Sequence, residues 1–216
     1  MNDYQSVRLN MVESQVRPNK VTDPAILDAL LAVPRELFVP KGLRGIAYID
    51  EDVPLGNGRY LMEPMVFARL LQAAEIGSGD SVLDIGCGLG YSTAVIARIA
   101  RRVVAVEEDL GLVPDARTLL AGMPNVTLVE SRLAHGCPQH APYDVIVLGG
   151  AVSNVPPAIL EQLGEGGRLV TVLHAENGMG KAVLMTRRDG VLGQRIIFDA
   201  GTPLLPGFAP QPEFVF

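Results

Sequence analysis

Asp84, the glycines at 86, 88 and 90, and Glu107 are the residues of this 216-residue chain whose types and spacing could do chemistry together. Val82-Leu83-Asp84-Ile85 is apolar apart from its acid and predicts a buried strand. Gly86-Cys87-Gly88-Leu89-Gly90-Tyr91 follows and leads into a helical pattern. Glycine lets the backbone turn tightly there and lets a ligand approach with no Cβ in the way. A dinucleotide fingerprint would put its third glycine at position 91, which is tyrosine, whereas Gly90 gives Gly-x-Gly-x-Gly. A carboxylate two residues before the first glycine suits a cationic ligand better than a pyrophosphate. S-adenosylmethionine, with an ammonium, a sulfonium and no phosphate, has that character. A strand-to-helix turn that binds nothing would use the same glycines, so the turn alone leaves both readings open.

A second acid separates them. Arg102-Val103-Val104-Ala105-Val106-Glu107 predicts the next buried strand, with Glu107 at its carboxyl end. Glu107 lies 23 residues after Asp84, close to the spacing of roughly 20 at which a strand-end acid grips ribose hydroxyls. Nicotinamide cofactors use such an acid too, so Glu107 points to adenosine rather than to a reaction. The glycine spacing and Asp84 favour S-adenosylmethionine.

The elements that must hold these residues follow from periodicity. From Ser81 onward, strands at 81–85, 102–107, 126–130, 144–148 and 167–173 alternate with helices at about 90–100, 111–122 and 156–163. That alternation predicts an α/β fold with a doubly wound, mostly parallel sheet. Lys181–Arg187 and Gln194–Asp199, joined through Arg188-Asp189-Gly190, predict an antiparallel C-terminal hairpin. Seven strands result, in a Rossmann-like arrangement. Upstream, Asp23-Pro24 caps a helix whose apolar face is Ile26, Leu27, Leu30 and Leu31. Phe38 to Pro64 holds Gly42, Gly45, Gly56 and Gly58 with prolines and acids, and predicts mostly loop of the functional kind. Pro64 then starts a helix carrying Val66, Phe67, Leu70 and Leu71. The chain divides into an N-terminal helical and loop extension (1–64), a cofactor-binding core (65–200) and a proline-rich tail (201–216) expected to pack across the surface.

Composition sets limits. Hydrophobic residues make up 48% and charged ones 19%, enough for a sizeable core. A net charge of −6 argues against a nucleic-acid partner, which wants a basic stripe. No apolar run approaches the ~20 residues of a membrane span. Met1-Asn2-Asp3-Tyr4-Gln5 lacks the basic and apolar regions of a signal peptide. Cys87 and Cys137 make no disulfide framework, so both read as reduced thiols in a cytoplasmic protein. His135, His140 and His174 have no metal-ligand spacing and are expected to be surface or structural residues; no metal is expected.

Blocks along nearly the whole chain resemble the protein-L-isoaspartate O-methyltransferase family. They are Met11-Val12 with Gln15, Val33-Pro34-Arg35-Glu36-Leu37-Phe38-Val39-Pro40, Ala47-Tyr48-Ile49-Asp50 and Pro54-Leu55-Gly56. Asp84 to Tyr91, Ala141-Pro142-Tyr143-Asp144, Pro156-Pro157, Gln162-Leu163 and Gly166-Gly167-Arg168-Leu169-Val170 continue the match. The resemblance implies transfer of a methyl group from S-adenosylmethionine to the free α-carboxylate of isoaspartyl residues in damaged peptides or proteins. It implies a cofactor site of Asp84, Gly86, Cys87, Gly88, Gly90, Tyr91 and Glu107, with Ser131, Arg132, Leu133 and Gly149.

Two blocks depart from the family's pattern. Its hydroxyl-bearing Thr-Ile-Ser-x-Pro is Tyr60-Leu61-Met62-Glu63-Pro64 here, so Met62 stands at the serine position in the active-site mouth. Its Gly-Asp-Gly, whose acid accepts from the adenine amino group, is Ser131-Arg132-Leu133, and arginine has no acceptor. These departures leave open another carboxylate acceptor, or cofactor binding without catalysis.

Overall fold

The computed structural model describes residues 3–175 and 178–209. Its centre is β3 (Ser81–Ile85), buried at every position as a strand covered on both faces must be. β4 (Arg102–Glu107) and β5 (Val126–Glu130) lie parallel to it on one side, and β6 (Tyr143–Val152) and β7 (Leu163–Leu173) on the other. β8 (Lys181–Arg188) and β9 (Val191–Asp199) then pair antiparallel, giving the seven-stranded order β5-β4-β3-β6-β7-β8-β9. Asp189 and Gly190 have φ of 51° and 73°, the left-handed pair that a two-residue hairpin turn requires. The strand order reverses between β3 and β6. Crevices at such switch points, outside the carboxyl ends of the strands, are where open α/β sheets bind ligands.

Two regions differ from expectation. Phe38–Pro64 is not mostly loop: 3-10 turns at Arg35–Phe38 and Lys41–Ile46 precede a hairpin of β1 (Val53–Gly56) and β2 (Arg59–Leu61). Asn57 and Gly58 form its turn with φ of 49° and 73°, so an Asn-Gly signal lay unread between Leu55 and Tyr60. The core helices are also shorter than expected. α4 (Tyr91–Ile96) tightens at its end, where the Arg98 and Ile99 amides bond three residues back. α6 (Pro157–Leu160) yields to β7, which starts at Leu163 opposite Tyr143.

The N-terminal segment holds α1 (Tyr4–Met11) and α2 (Pro24–Ala32), and Asp23 caps α2 by accepting from the Ala25 amide at 2.8 Å. α3 (Pro64–Ala74) buries Val66, Phe67, Leu70 and Leu71 in the same apolar cluster as Met11, Leu30 and Val145. α5 (Val113–Leu120) packs outside β5. Arg35 ties the extension to the site. It is fully buried, donates to the Ala47 carbonyl at 2.6 Å and the Met62 carbonyl at 2.7 Å, and stacks 4.9 Å from the Tyr91 ring centroid. The tail folds back: Leu204 bridges Ala151 of β6, and Leu205 and Phe208 are buried. Its end, Glu213 to Phe216, lies outside the described residues. No helix among those described is long and apolar enough to cross a membrane.

Candidate functional site

Val106 ends the β3–β4 ladder by accepting from the Gly86 amide at 2.8 Å and the Cys87 amide at 3.3 Å, which starts the turn at the switch point. Gly86, Gly88 and Gly90 have φ of 80°, 58° and 97°, a region that L side chains enter at a cost. Gly149 meets the turn from β6. A Cβ there would lie 2.7 Å from the Gly86 carbonyl oxygen, so the two chain segments approach this closely only because position 149 is bare. Gly90 serves packing and the start of the helix. Its Cα faces the Leu120 side chain, 2.9 Å from where a Cβ would be, and its carbonyl accepts from the Ala94 amide to start α4.

Asp84 is buried below the turn. Its Oδ2 accepts from Ser92 Oγ at 2.7 Å and Thr93 Oγ1 at 2.6 Å, while its Oδ1 is buried without a partner. Burial pushes its carboxyl up to about 6, against the two hydroxyl bonds; the Glu107 charge adds to the rise and Arg59 opposes it. Burial, with the neighbouring acid charges, also raises the Cys87 thiol, so it is no ready nucleophile. Tyr91 opens α4 with its ring against Phe38 and Phe67, at centroid distances of 5.8 and 5.9 Å. It is a core residue as much as a site residue.

Glu107 is where expected, at the carboxyl end of β4 and fully buried, but its oxygens are engaged. Oε1 accepts from the amides of Glu108 and Asp109 at 2.9 and 3.1 Å and from Arg59 Nε at 3.2 Å. Oε2 accepts from the Gly88 amide at 2.7 Å and Arg59 Nη2 at 2.8 Å. A carboxylate offers about four lone-pair positions, so these donors fill it. Arg59 itself is 2% exposed. A Cβ on Gly86 would stand 2.9 Å from Arg59 Nη2 and 3.0 Å from Leu205 Cδ2, and one on Gly88 would stand 2.6 Å from Leu55 Cδ1. The room left at the turn, bounded by Leu55, Met62, Gly86, Tyr91, Ser92 and Gly149, is about 20 Å³. That holds roughly one water.

Across the crevice, the loop after β5 carries the remaining residues. The Ser131 amide donates to the Glu107 carbonyl at 3.1 Å, Leu133 is buried with its amide donating to Glu108 Oε2 at 3.0 Å, and Arg132 is exposed. Met62 is 5% exposed and walls the turn, its position fixed by Arg35 through its carbonyl. The structure thus gathers Met62, Asp84, Gly86, Cys87, Gly88 and Gly149 at one crevice, with Glu107 under the turn and the 131–133 loop beside it. Sequence reasoning missed Arg59, Leu55, Glu108 and Leu205. The Asn57-Gly58 turn could have placed Arg59 on an inward strand position. Leu205 had no local signal.

The residue set suits an adenosyl cofactor in kind. Asp84 Oδ1 is a buried acceptor still without a donor, the glycines admit a close backbone approach, and Glu107 is a buried acid at the carboxyl end of β4. Among the described residues no group of three or more His, Cys, Asp or Glu could hold a metal.

Comparison with known proteins agrees. The family model described as protein-L-isoaspartate(D-aspartate) O-methyltransferase matches residues 7–197. Protein-L-isoaspartate O-methyltransferase 1 of Rhodopseudomonas palustris (strain HaA2) is 36% identical over 97% of this chain and 89% of its own length. The protein-L-isoaspartate O-methyltransferase of Methanoculleus marisnigri is 41% identical over 76% of this chain and 75% of its own. A solved protein-L-isoaspartate O-methyltransferase superposes with a TM-score of 0.79 at 26% identity, over 94% of this chain and 66% of that one. A putative one from Plasmodium falciparum, solved with S-adenosyl-L-homocysteine, superposes with a TM-score of 0.78 over 95% of this chain and 99% of its own; at 19% identity the likeness is one of fold.

Proposed function

The chain belongs to the protein-L-isoaspartate(D-aspartate) O-methyltransferase family, and on that premise we propose that it methylates the free α-carboxylate of L-isoaspartyl residues in peptides and proteins. The observation that carries this is the meeting of Asp84, Gly86, Gly88, Gly149 and Glu107 at the β3–β6 switch point. S-adenosylmethionine supplies a methyl carbon on a sulfonium leaving group. The acceptor carboxylate is already a nucleophile at neutral pH, so the site needs no general base; it must hold the reactants in line and exclude water. Asp84 places negative charge under the turn. Gly86, Gly88 and Gly149 keep Cβ atoms out of the way, and Glu107 is the acid for the ribose hydroxyls, which must take the place of one of its present donors. The 131–133 backbone flanks the adenine side, while Met62 and Tyr60 wall the mouth.

The division into an extension (1–64), a core (65–200) and a tail (201–216) belongs to the same proposal, as does a cytoplasmic site of action, which suits the free thiols of Cys87 and Cys137. Transfer of a labelled methyl group to an isoaspartyl peptide, with the aspartyl peptide as control, tests the reading. Label on the isoaspartyl peptide alone is the expected result. Binding of S-adenosylhomocysteine with no labelled isoaspartyl peptide would move the acceptor to another carboxylate.

A further inference from the structure

Two segments far apart in sequence lie over the first glycine of the turn. Arg59 reaches Gly86 from the hairpin and Leu205 reaches it from the tail. Glu107 accepts from five N–H groups, two of them on Arg59. Since those donors fill its lone-pair positions, a ribose hydroxyl can bond to Glu107 only by displacing one of them. The three backbone amides belong to the turn and to the loop after β4, and cannot leave without unfolding it. Arg59 is the donor that can go. The neighbouring loop is satisfied internally too, because Glu108 holds the Leu133 amide.

The hairpin is the element that must move for Arg59 to leave. It is a sheet of two strands, separate from the main sheet and with an irregular register between Pro54 and Gly56; its Val53, Leu55 and Leu61 are buried in the main core cluster, so lifting it uncovers apolar surface and keeps the open fraction small. Side chains tie it to the loop after β4 at two points: the buried Arg59–Glu107 pair, and the exposed bond of 2.9 Å from Asn57 Nδ2 to Asp109 Oδ2. The tail is fastened differently. The Leu205 amide donates to the Ala151 carbonyl at 2.8 Å and the Ala151 amide to the Pro203 carbonyl at 3.0 Å, which adds Leu204 alongside β6.

We propose that Arg59 and the cofactor's ribose compete for Glu107, so that the hairpin Val53–Leu61 latches the cofactor crevice shut until it lifts. This rests on the cofactor reading above. Entry is then a two-step event: the latch opens, and the ligand takes the carboxylate that Arg59 has released. A ligand that binds only the open state pays an affinity penalty equal to the open fraction, and any change that loosens the latch tightens binding without adding a contact.

The probe is S-adenosylhomocysteine, followed by calorimetry and by stopped-flow mixing with the full chain. For the wild type, the observed binding rate should level off as ligand concentration rises, since latch opening becomes limiting. Arg59→Ala should bind at least tenfold more tightly with a rate linear in ligand. Arg59→Lys, which restores a point charge, should fall between the two. Should Arg59→Ala fold poorly, Asn57→Ala cuts only the exposed tie and should raise the plateau rate twofold or more. Two results overturn the latch while leaving the cofactor reading intact: a wild-type rate linear far above the dissociation constant and unchanged in Asn57→Ala, or equal affinity in folded Arg59→Ala. No binding to any of these proteins at millimolar ligand overturns both.

Discussion

Replacing Glu107 by glutamine should destabilise the protein by about 3 kcal/mol, the lower end of the roughly 3–5 kcal/mol seen when one partner of a buried ion pair is removed. The pair is dry: the side chains of Arg59 and Glu107 are 2% and 0% exposed and meet at 2.8 Å. Without the acid, a guanidinium stays buried with no countercharge in contact and at most one acceptor oxygen. Asp84 moderates the loss, since its charge already interacts with Arg59, which is why the lower figure applies. Geometry works in the other direction. The carboxylate accepts from three backbone amides, through both oxygens. A glutamine side chain has one oxygen, so its NH2 must face either the Gly88 amide or the Glu108 and Asp109 amides. For a chain of this size, 3 kcal/mol lowers Tm by roughly 6–12 °C. Calorimetry and urea unfolding at neutral pH and low salt read this directly. Arg59→Met with Glu107→Gln should recover at least ~2 kcal/mol relative to the sum of the single variants, the coupling expected of contacting charges. A Glu107→Gln protein within ~1 kcal/mol of wild type, or additive variants, would show that the pair is solvated and that the reasoning about this crevice is wrong.

Asp84 provides a pH test. Its folded pKa of about 6 lies above the ordinary 3.8, so the folded state binds the proton more tightly. Its contribution is fully present below pH 3.8, falls as pH rises toward 6 and stays lost above that, by about 3 kcal/mol in all. Asp84→Asn should therefore gain in Tm over wild type between pH 4 and 6 and hold a constant advantage from pH 7 to 8, and parallel melting curves at every pH would contradict this. Gly149→Ala must push Gly86 and Gly149 apart, costing roughly 1–3 kcal/mol, and should abolish S-adenosylhomocysteine binding in calorimetry; Gly79→Ala, where a Cβ meets nothing within 4 Å, is the matched control. Met62→Ser puts a donor at the wall of the turn. A hydrogen bond to a carboxylate in the transition state is worth about 1.5–3 kcal/mol, so turnover on an isoaspartyl peptide should rise at least tenfold, and unchanged kinetics would show that the thioether does no harm.

The parallel core was legible because its strands are apolar runs of the right length. Val82 to Ile85 and Val103 to Val106 could be read without knowing their neighbours. Asp189-Gly190 marked the last hairpin by turn chemistry alone. Asn57-Gly58 carried the same information but sat among glycines, prolines and acids, where a loop is the default reading. The site was legible where it is made of backbone. Glycine at 86, 88 and 149 is written in the chain because nothing else fits. What the site side chains do was not legible. Glu107 was correctly placed, yet its partner lies 48 residues upstream, on a strand with no periodicity to mark it. Leu205 comes from a tail that is held to β6 by backbone hydrogen bonds at Ala151 and Ser153. Long-range pairings of this kind leave no local pattern. Met62 and Arg132 were recognisable as departures only against a family pattern, and no propensity rule would have found them.

The sheet stops at β9, and no strand lies beyond it among the described residues. Its outer row of amides and carbonyls faces solvent beside Val191 and Ile196, which are 69% and 60% exposed. An edge that is both sticky and unpaired is a template for another copy of itself. Two features oppose such pairing: a register irregularity in which β9 carries the extra residue Ile197 breaks the regular spacing of the β8–β9 ladder, and the exposed Arg195 puts like charges on edges that would meet. The charge defence works through solvent and weakens as the screening length shrinks, from about 10 Å at 0.1 M salt to about 3 Å at 1 M. At high ionic strength the distortion of the ladder is then the remaining defence of this edge, and a variant that regularised β9 by removing its extra residue would be more prone to fibre-like association.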